Sequence, residues 1–501
     1  MNNRKMTCGL VAFYAAAIFV VGCIPTNMLQ WCEDGSVGLL QVGEGLGLVD
    51  GKTGELTEVA GNVCLLPDIS KDGKLIAYSE KVNCDSLSEG LKLLPPGQVK
   101  MIEYYAERMK KNILDARRLP NDEFGFPEEG LLLPEDYRNW AIRYLCENAD
   151  NELLEILQNE GIEKAKERAI RYFQIVVVPR ENLDQKRVVT ASIFQIMATR
   201  FSPDTKSVAY LMHTQEGEVS NAYQEFALYI ASLETDVKAM HVGSRAAIGY
   251  DWREDGKAIA YLSADSKNLR YDDFILGTLN EKMVADANGS LLAEPTQLPE
   301  QGSASTHRCS AGPAEFVATA FYPFLKVKYG LGNRIFFSSF VLPLPASKRD
   351  EPGCSLFCFD PVTGAVKDVL PLSVSTHTSQ AVGMLYFALS PDGKRVLLPI
   401  KNNRFIGYTL GTDSAEIPIP EAEGFGEEDF PLLPPSWKGN NEISCLVSEK
   451  SHFLPKPKEG EEKPARKEVV VLGDGQSWIL SESWPSIFED DQEQRASEGP
   501  N

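Results

Sequence analysis

The sequence predicts an all-β fold: a β-propeller of six or seven four-stranded antiparallel blades, carrying an α-helical insertion. Three observations predict it. One turn-and-strand sentence recurs six times, a second hairpin sentence recurs beside it, and the period suits four strands per unit. The 501 residues would otherwise suggest two to four domains at roughly 100–200 residues each. With 43% hydrophobic and 24% charged residues, the composition excludes wholesale disorder, collagen-like repeats and a multi-pass membrane protein. Fifty Lys and Arg against 71 Asp and Glu give a net charge of −21, which would repel DNA or RNA, so no nucleic-acid partner is expected.

Taken in chain order, the first element is a short export signal. Arg4 and Lys5 precede an apolar stretch of fifteen residues from Cys8 to Gly22. That is the layout of a secretory signal, and it falls short of the roughly 20 residues that span a bilayer. Its end, Val20-Val21-Gly22-Cys23, resembles the lipobox of bacterial lipoproteins. The resemblance implies cleavage after Gly22 and diacylation of the Cys23 thiol. Two acyl chains anchor stably, whereas one is marginal. A plain signal peptide and an uncleaved anchor are the alternatives. Ile24, rather than Asp, favours the outer membrane under the enterobacterial sorting rule. The expectation is an extracytoplasmic, lipid-anchored chain at the periplasmic face of the cell envelope. Residues 1–22 are its signal and 23–36 its tether. Losing Arg4 and Lys5 would take the net charge from −21 to −23.

Maturation would leave Cys32, Cys64, Cys84, Cys146, Cys309, Cys354, Cys358 and Cys445. An even number in an exported chain permits disulfides, although eight cysteines allow 105 pairings. Cys354 and Cys358 lie four strand steps apart, roughly 13 Å, too far to bridge each other. No Cys-x-x-Cys pair occurs, so no metal or redox site is expected.

The repeats occupy residues 37–482. Ile69-Ser-Lys-Asp72-Gly73-Lys74-Leu-Ile76 recurs as Phe201-Ser-Pro203-Asp204-Thr-Lys206-Ser-Val208. It returns as Trp252-Arg-Glu-Asp255-Gly256-Lys257-Ala-Ile259 and as Leu389-Ser-Pro391-Asp392-Gly393-Lys394-Arg-Val396. Shorter copies are Gly332-Asn333-Arg334-Ile335 and Trp437-Lys-Gly439-Asn440-Asn441-Glu442-Ile443. Asp-Gly supplies a tight turn with positive φ, Lys keeps its tip wet, and aliphatic residues start the next strand. These Asp and Gly residues read as structural turn residues. The second sentence, Leu46 to Glu55, matches Leu356 to Ala365 and, more loosely, Leu228 to Asp236 as an outer hairpin. Placed before the first turn copy, Leu46–Glu55 would complete a seventh blade or close the ring with the C-terminal strands.

The Ser-Pro-Asp-Gly-Lys turn before an aliphatic strand is similar to the WD40-like repeat of TolB-type β-propellers, and to the propellers of dipeptidyl-peptidase and prolyl-oligopeptidase relatives. The TolB-type resemblance implies interaction with envelope proteins. Those proteins carry a separate N-terminal α/β domain and no lipid, so a Tol–Pal role is not carried over.

Residues 97–173 interrupt the repeats with helical character. Ile102, Tyr105, Met109 and Ile113 share one helix face, and Pro134-Glu135-Asp136 opens a second helix. A third, charged run covers Leu153 to Tyr172, and Ile175-Val-Val-Val178 returns as a strand. The insertion suits a packing element, a lid or a partner-docking module. Pro455 to Pro464 reads as a charged loop, and residues 483–501 as a disordered acidic tail.

No catalytic motif emerges. Gly-x-Ser-x-Gly, the phosphate loop and His-Glu-x-x-His are absent, and the chain ends soon after the last repeat strands, so neither a serine triad nor a cofactor is expected. His213, His241, His307, His377 and His452 are far apart in sequence and would need to converge at a propeller axis to act together. Asp272-Asp273 and Glu427-Glu428-Asp429 are as frequent as 71 acidic residues make by chance. The expected function is a non-catalytic propeller scaffold binding a protein or cell-envelope component. The alternative is a propeller-based carbohydrate-active enzyme, a lyase or glycosidase.

Overall fold

The computed structural model describes residues 28–84, 91–92, 94, 96–117, 132–147, 170–213, 226–234, 239–243, 249–264, 274–279, 304–309, 319–320, 327–341, 353–360, 365–369, 387–400, 404–410, 416–417, 429–431, 436–449, 467–472 and 477–479. Within them the chain is an all-β propeller of small antiparallel sheets with few helices. The first sheet pairs β1 (Met28–Trp31), β2 (Val37–Val42), β3 (Gly45–Asp50) and β4 (Leu56–Ala60). The second pairs β5 (Asp68–Ile69), β6 (Leu75–Cys84), β7 (Ile170–Pro179) and β8 (Arg187–Ser192). The third holds β9 (Ile196–Phe201), β10 (Ser207–His213), β11 (Phe226–Ser232) and β12 (Met240–Gly243). The fourth holds β13 (Asp251–Trp252), β14 (Ile259–Ala264), β15 (Phe274–Leu279) and β16 (Ala304–Cys309). Five strands form the fifth: β17 (Thr319–Ala320), β18 (Val327–Tyr329), β19 (Ile335–Val341), β20 (Gly353–Asp360) and β21 (Ala365–Asp368). The sixth has β22 (Ala388–Leu389), β23 (Arg395–Ile400), β24 (Arg404–Thr409) and β25 (Glu416–Ile417). The seventh has β26 (Asp429–Pro431), β27 (Ser436–Lys438), β28 (Glu442–Glu449), β29 (Lys467–Leu472) and β30 (Ser477–Ile479). Five sheets thus have the four strands the repeat predicts, and two have five.

The leading strands form the inner ring, where sheet meets sheet: β1 against β5, β5 against β9, β13 against β18, β22 against β27 and β27 against β1. Hydrogen bonds carry the contacts around. Ala198 N–H donates to Leu65 O (2.9 Å), Val327 N–H to Gly249 O (2.6 Å) and Trp437 Nε1 to Ala388 O (2.9 Å). Between the fifth and sixth sheets the join is apolar, with Phe336 and Leu356 against Phe387, Val396 and Leu398. The first and last sheets close the ring through side chains, since each is continuous in sequence. Trp31 Nε1 donates to Ser444 Oγ at 2.7 Å, and Lys438 Nζ lies 5.4 Å from the Trp31 ring centre.

Two boundaries move: β7 begins at Ile170, so residues 170–173, expected in the helical insertion, belong to the second sheet. The tether was expected to run to residue 36, but β1 and its turn already belong to the first sheet. Trp31-Cys32-Glu33-Asp34-Gly35 is a further turn copy, with Gly35 at φ +70° and its N–H donating to Cys32 O at 3.0 Å. The hairpin at Leu46–Glu55 pairs within this first sheet, not with the C-terminal strands.

The insertion leaves between β6 and β7. Helix α1 (Pro96–Arg117) buries Ile102, Ala106, Met109 and Ile113, and α2 (Pro134–Glu147) buries Trp140, Ala141, Ile142 and Leu145. They pack with Ile175, Ile193, Phe194 and Ile196, and Gln98 binds Ser192 Oγ (2.9 Å) and the Ile193 N–H (2.9 Å). In an antiparallel sheet the connection between strands two and three lies at the end opposite the turn between strands one and two. The helices therefore sit at the propeller end away from the repeat turns. The run 153–169, Cys23 and Gly22, the loop at Pro455 to Pro464 and the tail lie outside the described residues. No helix among the described residues is long and apolar enough to cross a membrane.

Candidate functional site at the axial mouth

The repeat turns surround one end of the propeller axis. In the second sheet Ser70 Oγ donates to Asp72 Oδ1 (2.7 Å) and accepts from the Leu75 N–H (2.9 Å), while Asp72 accepts from the Lys74 N–H (3.1 Å). Ser202 repeats this with Asp204 (2.6 Å) and the Ser207 N–H (3.0 Å), and Ser390 with Asp392 (2.5 Å) and the Arg395 N–H (3.0 Å). Where the serine is replaced, another donor serves: Arg253 Nε reaches Asp255 at 2.8 Å, and Cys32 Sγ reaches Asp34 at 3.0 Å. Gly73, Gly256 and Gly393 take φ of +69°, +69° and +66°, and Thr205 takes +57° at the equivalent position. The Ser70 hydroxyl holds the Asp72 carboxyl below the usual carboxylate range. Arg253 does the same for Asp255, and the Ser36 hydroxyl lowers Asp34 to about 2. At Asp392 burial pushes upward, but the Ser390 hydroxyl and the Lys394 N–H outweigh it. Each predicted turn residue is therefore occupied in shaping its own turn.

Inside the turns lies a cavity of about 390 Å³, lined from six of the seven sheets. Its charged floor comes from one repeat position, the residue immediately before the apolar residue that opens each turn sentence. Cross-strand register fixes that equivalence: Gln30 faces Leu39, Asp68 faces Ala77, Arg200 faces Ala209, Asp251 faces Ala260, Lys328 faces Phe336 and Ala388 faces Leu397. Four consecutive sheets thus place Asp68, Arg200, Asp251 and Lys328 on the axis, alternating in sign. At an effective dielectric near 20, unlike charges about 4 Å apart attract by about 4 kcal/mol, and like charges would repel equally. Alternation offsets the desolvation that burial imposes.

The network is specific. Lys328 Nζ donates to Asp251 Oδ1 at 2.8 Å, the Tyr329 N–H donates to Asp251 Oδ2 at 2.9 Å, and Arg200 Nη1 lies 3.9 Å from Asp251 Oδ1. Gln30 Nε2 donates to Asp68 Oδ1, and the Phe201 N–H donates to Asp68 Oδ2 at 2.7 Å. Trp252 Nε1 donates to Arg200 O at 3.3 Å, fixing the backbone behind the guanidinium. Burial raises the Asp68 carboxyl above its ordinary range, with Arg200 opposing. Burial, together with Arg200, lowers the Lys328 ammonium.

Among the described residues, His213 and His241 do not gather here. His213 ends β10, His241 is on β12 and His307 on β16, and neither His213 nor His241 lines the cavity. His377, His452, Asp272, Asp273, Glu427 and Glu428 lie outside the described residues, and Asp429 starts β26. Cys354 and Cys358 share β20. Cys32 and Cys64 are buried free thiols, and burial pushes Cys64 up to about 11. No group of three metal-ligating side chains occurs among the described residues. Sequence reading missed the axial residues because identity varies at that position; the available signal was a charge directly before Ile69, Phe201 and Trp252.

No protein-family model matches the chain, and no curated protein matches it. Among solved structures it is similar to hydrazine synthase of Kuenenia stuttgartiensis, at 11% identity over 84% of this chain and 92% of that one, with a TM-score of 0.44. It is also similar to an acylaminoacyl peptidase of Pyrococcus horikoshii, at 10% identity over 93% of this chain and 54% of that one, with a TM-score of 0.44. A third similarity is to oligogalacturonate lyase of Vibrio parahaemolyticus, at 10% identity over 74% and 72%, with a TM-score of 0.38.

Proposed function

We propose that this chain is a lipid-anchored, extracytoplasmic lipoprotein whose propeller is a non-catalytic scaffold. It binds a protein or cell-envelope component at the axial mouth. Each of the seven sheets counts as one blade in this reading, and the repeat turns make the propeller TolB-like. The carrying observation is the axial cavity, where the four charged groups of the floor face one another. Ser202 and Ser390 line it too, and their hydroxyls are donated to Asp204 and Asp392 within the turns. Tethering through Cys23 would place this mouth in the envelope, and loss of acyl labelling in Cys23→Ser tests the anchor.

One observation favours the carbohydrate-active reading: Asp68 and Asp251 share the cavity, and burial raises Asp68, as suits a general acid. Incubating the purified chain with envelope polysaccharides and envelope extract separates the two. The scaffold reading expects a stable complex and unchanged polysaccharide. Turnover that disappears in Asp68→Asn or Asp251→Asn overturns it.

A further inference from the structure

We infer that the axial cavity contains an oxyanion subsite, in which Arg200 and Lys328 hold a carboxylate or phosphate group of the bound ligand. The inference rests on the binding reading above and names the chemistry of its site. It follows from counting donors and acceptors on the cavity floor. Both oxygens of Asp68 already accept, from Gln30 and from the Phe201 N–H. Both oxygens of Asp251 also accept, from Lys328 and from the Tyr329 N–H. The donors are in surplus. Lys328 has three N–H groups and uses one on Asp251. Arg200 has five in a fixed fork, yet among the described residues its side chain is engaged only by charge, at 3.9 Å from Asp251 and toward Asp68, and by a contact 5.9 Å from the Tyr250 ring centre.

A guanidinium in a part-buried cavity without a close acceptor is poised for one from outside. Arg matches the geometry of a carboxylate or phosphate, and a Lys beside it adds a point charge. The Arg200 backbone is held by the Trp252 indole, which donates to Arg200 O, and the guanidinium lies 5.9 Å from the Tyr250 ring centre. The surrounding protein is strongly acidic, with a net charge of −21, so long-range steering does not create this preference. Glu33, Glu254 and Asp392 also line the cavity, so the preference is confined to the floor beside Arg200 and Lys328. The acids orient the two cations and leave them with free donors.

Trp31 and Trp252 line the cavity, so their fluorescence reports occupancy. The experiment titrates the full-length chain in detergent with sodium phosphate and, separately, sodium acetate, with sodium chloride holding ionic strength constant. A saturable change with either salt is expected. Phosphate alone assigns a phosphoryl ligand, acetate alone assigns a carboxylate, and both leave the shared oxyanion chemistry. Arg200→Gln should weaken binding roughly tenfold or more. Lys206→Gln, at an exposed pair with Glu234, should bind as the parent does. Phenylglyoxal modification of the unaltered chain, followed by mass spectrometry, needs no variant to fold: phosphate or acetate should slow reaction at Arg200. No saturable change beyond chloride, unaltered affinity in folded Arg200→Gln, or unprotected Arg200 overturns the subsite. Its failure leaves an envelope complex intact, whereas polysaccharide turnover would sink the scaffold reading even with anion binding present.

Discussion

The rim of the mouth and its floor are separated by only a few residues in each repeat, yet they obey opposite rules. At the rim the chemistry is constant: Asp72, Asp204, Asp255 and Asp392 each accept the N–H two residues on, whatever the neighbouring sheet. At the floor the same repeat position holds Gln30, Asp68, Arg200, Asp251, Lys328 and Ala388. The turn must solve the same backbone problem in every sheet, so its residues converge. The axial position faces other sheets, so its residues are chosen against one another. Repetition specifies the propeller, and departure from repetition specifies what the propeller can hold.

Breaking the floor should therefore cost more than breaking the rim. Asp251→Ala removes the acceptor of Lys328 and the Tyr329 N–H and leaves two cations facing each other. Denaturant unfolding should show a loss of about 3 kcal/mol. Among rim changes, Gly393→Ala ranks next. It adds a Cβ at φ +66° that would stand 2.9 Å from the Leu331 backbone nitrogen, so about 2 kcal/mol is expected. Gly73→Ala meets its nearest atom at 3.4 Å and should cost about 1 kcal/mol, so the two thermal midpoints should differ in that order. Thr205→Gly works the other way. It relieves a β-branched residue at φ +57° and should gain about 0.5 kcal/mol after the added chain entropy.

The smallest effect is a pH dependence that separates rim from floor. Asp72 has a folded pKa below its ordinary 3.8, so its stabilisation is present above 3.8 and lost as pH falls through the folded value. Asp68 is raised, so the folded state holds its proton more tightly. Its contribution improves as pH falls through the window between its folded value and 3.8. Stability measured down past pH 3.8 should fall less steeply in Asp72→Asn than in the parent, from a lower value at neutral pH, where the lost carboxylate contributed.

The strands and turns were legible because each repeat encodes them locally. An Asp-Gly pair, a lysine and an aliphatic run specify a hairpin wherever they occur. The turn at Trp31–Gly35 was passed over because Cys32 stands where Ser70 and Ser202 stand, although its thiol makes the same bond. The helix face of Ile102, Met109 and Ile113 was legible from spacing, but not which end of the propeller receives it, since that depends on antiparallel topology. The floor was illegible for a different reason. Asp68 and Lys328 are 260 residues apart, and only ring geometry brings both to the axis. A search for repeated identity discards the very position where identity must vary.

The most direct test of the axial mouth as the binding site is site-specific photocrosslinking in intact envelopes. A photoreactive residue replaces Lys71 at the mouth in one variant and Tyr104, exposed on α1 at the far end, in another. A discrete adduct is expected from position 71, weakened in Arg200→Gln, and none from position 104. An adduct from position 104 with none from position 71 would contradict the axial mouth as the binding site.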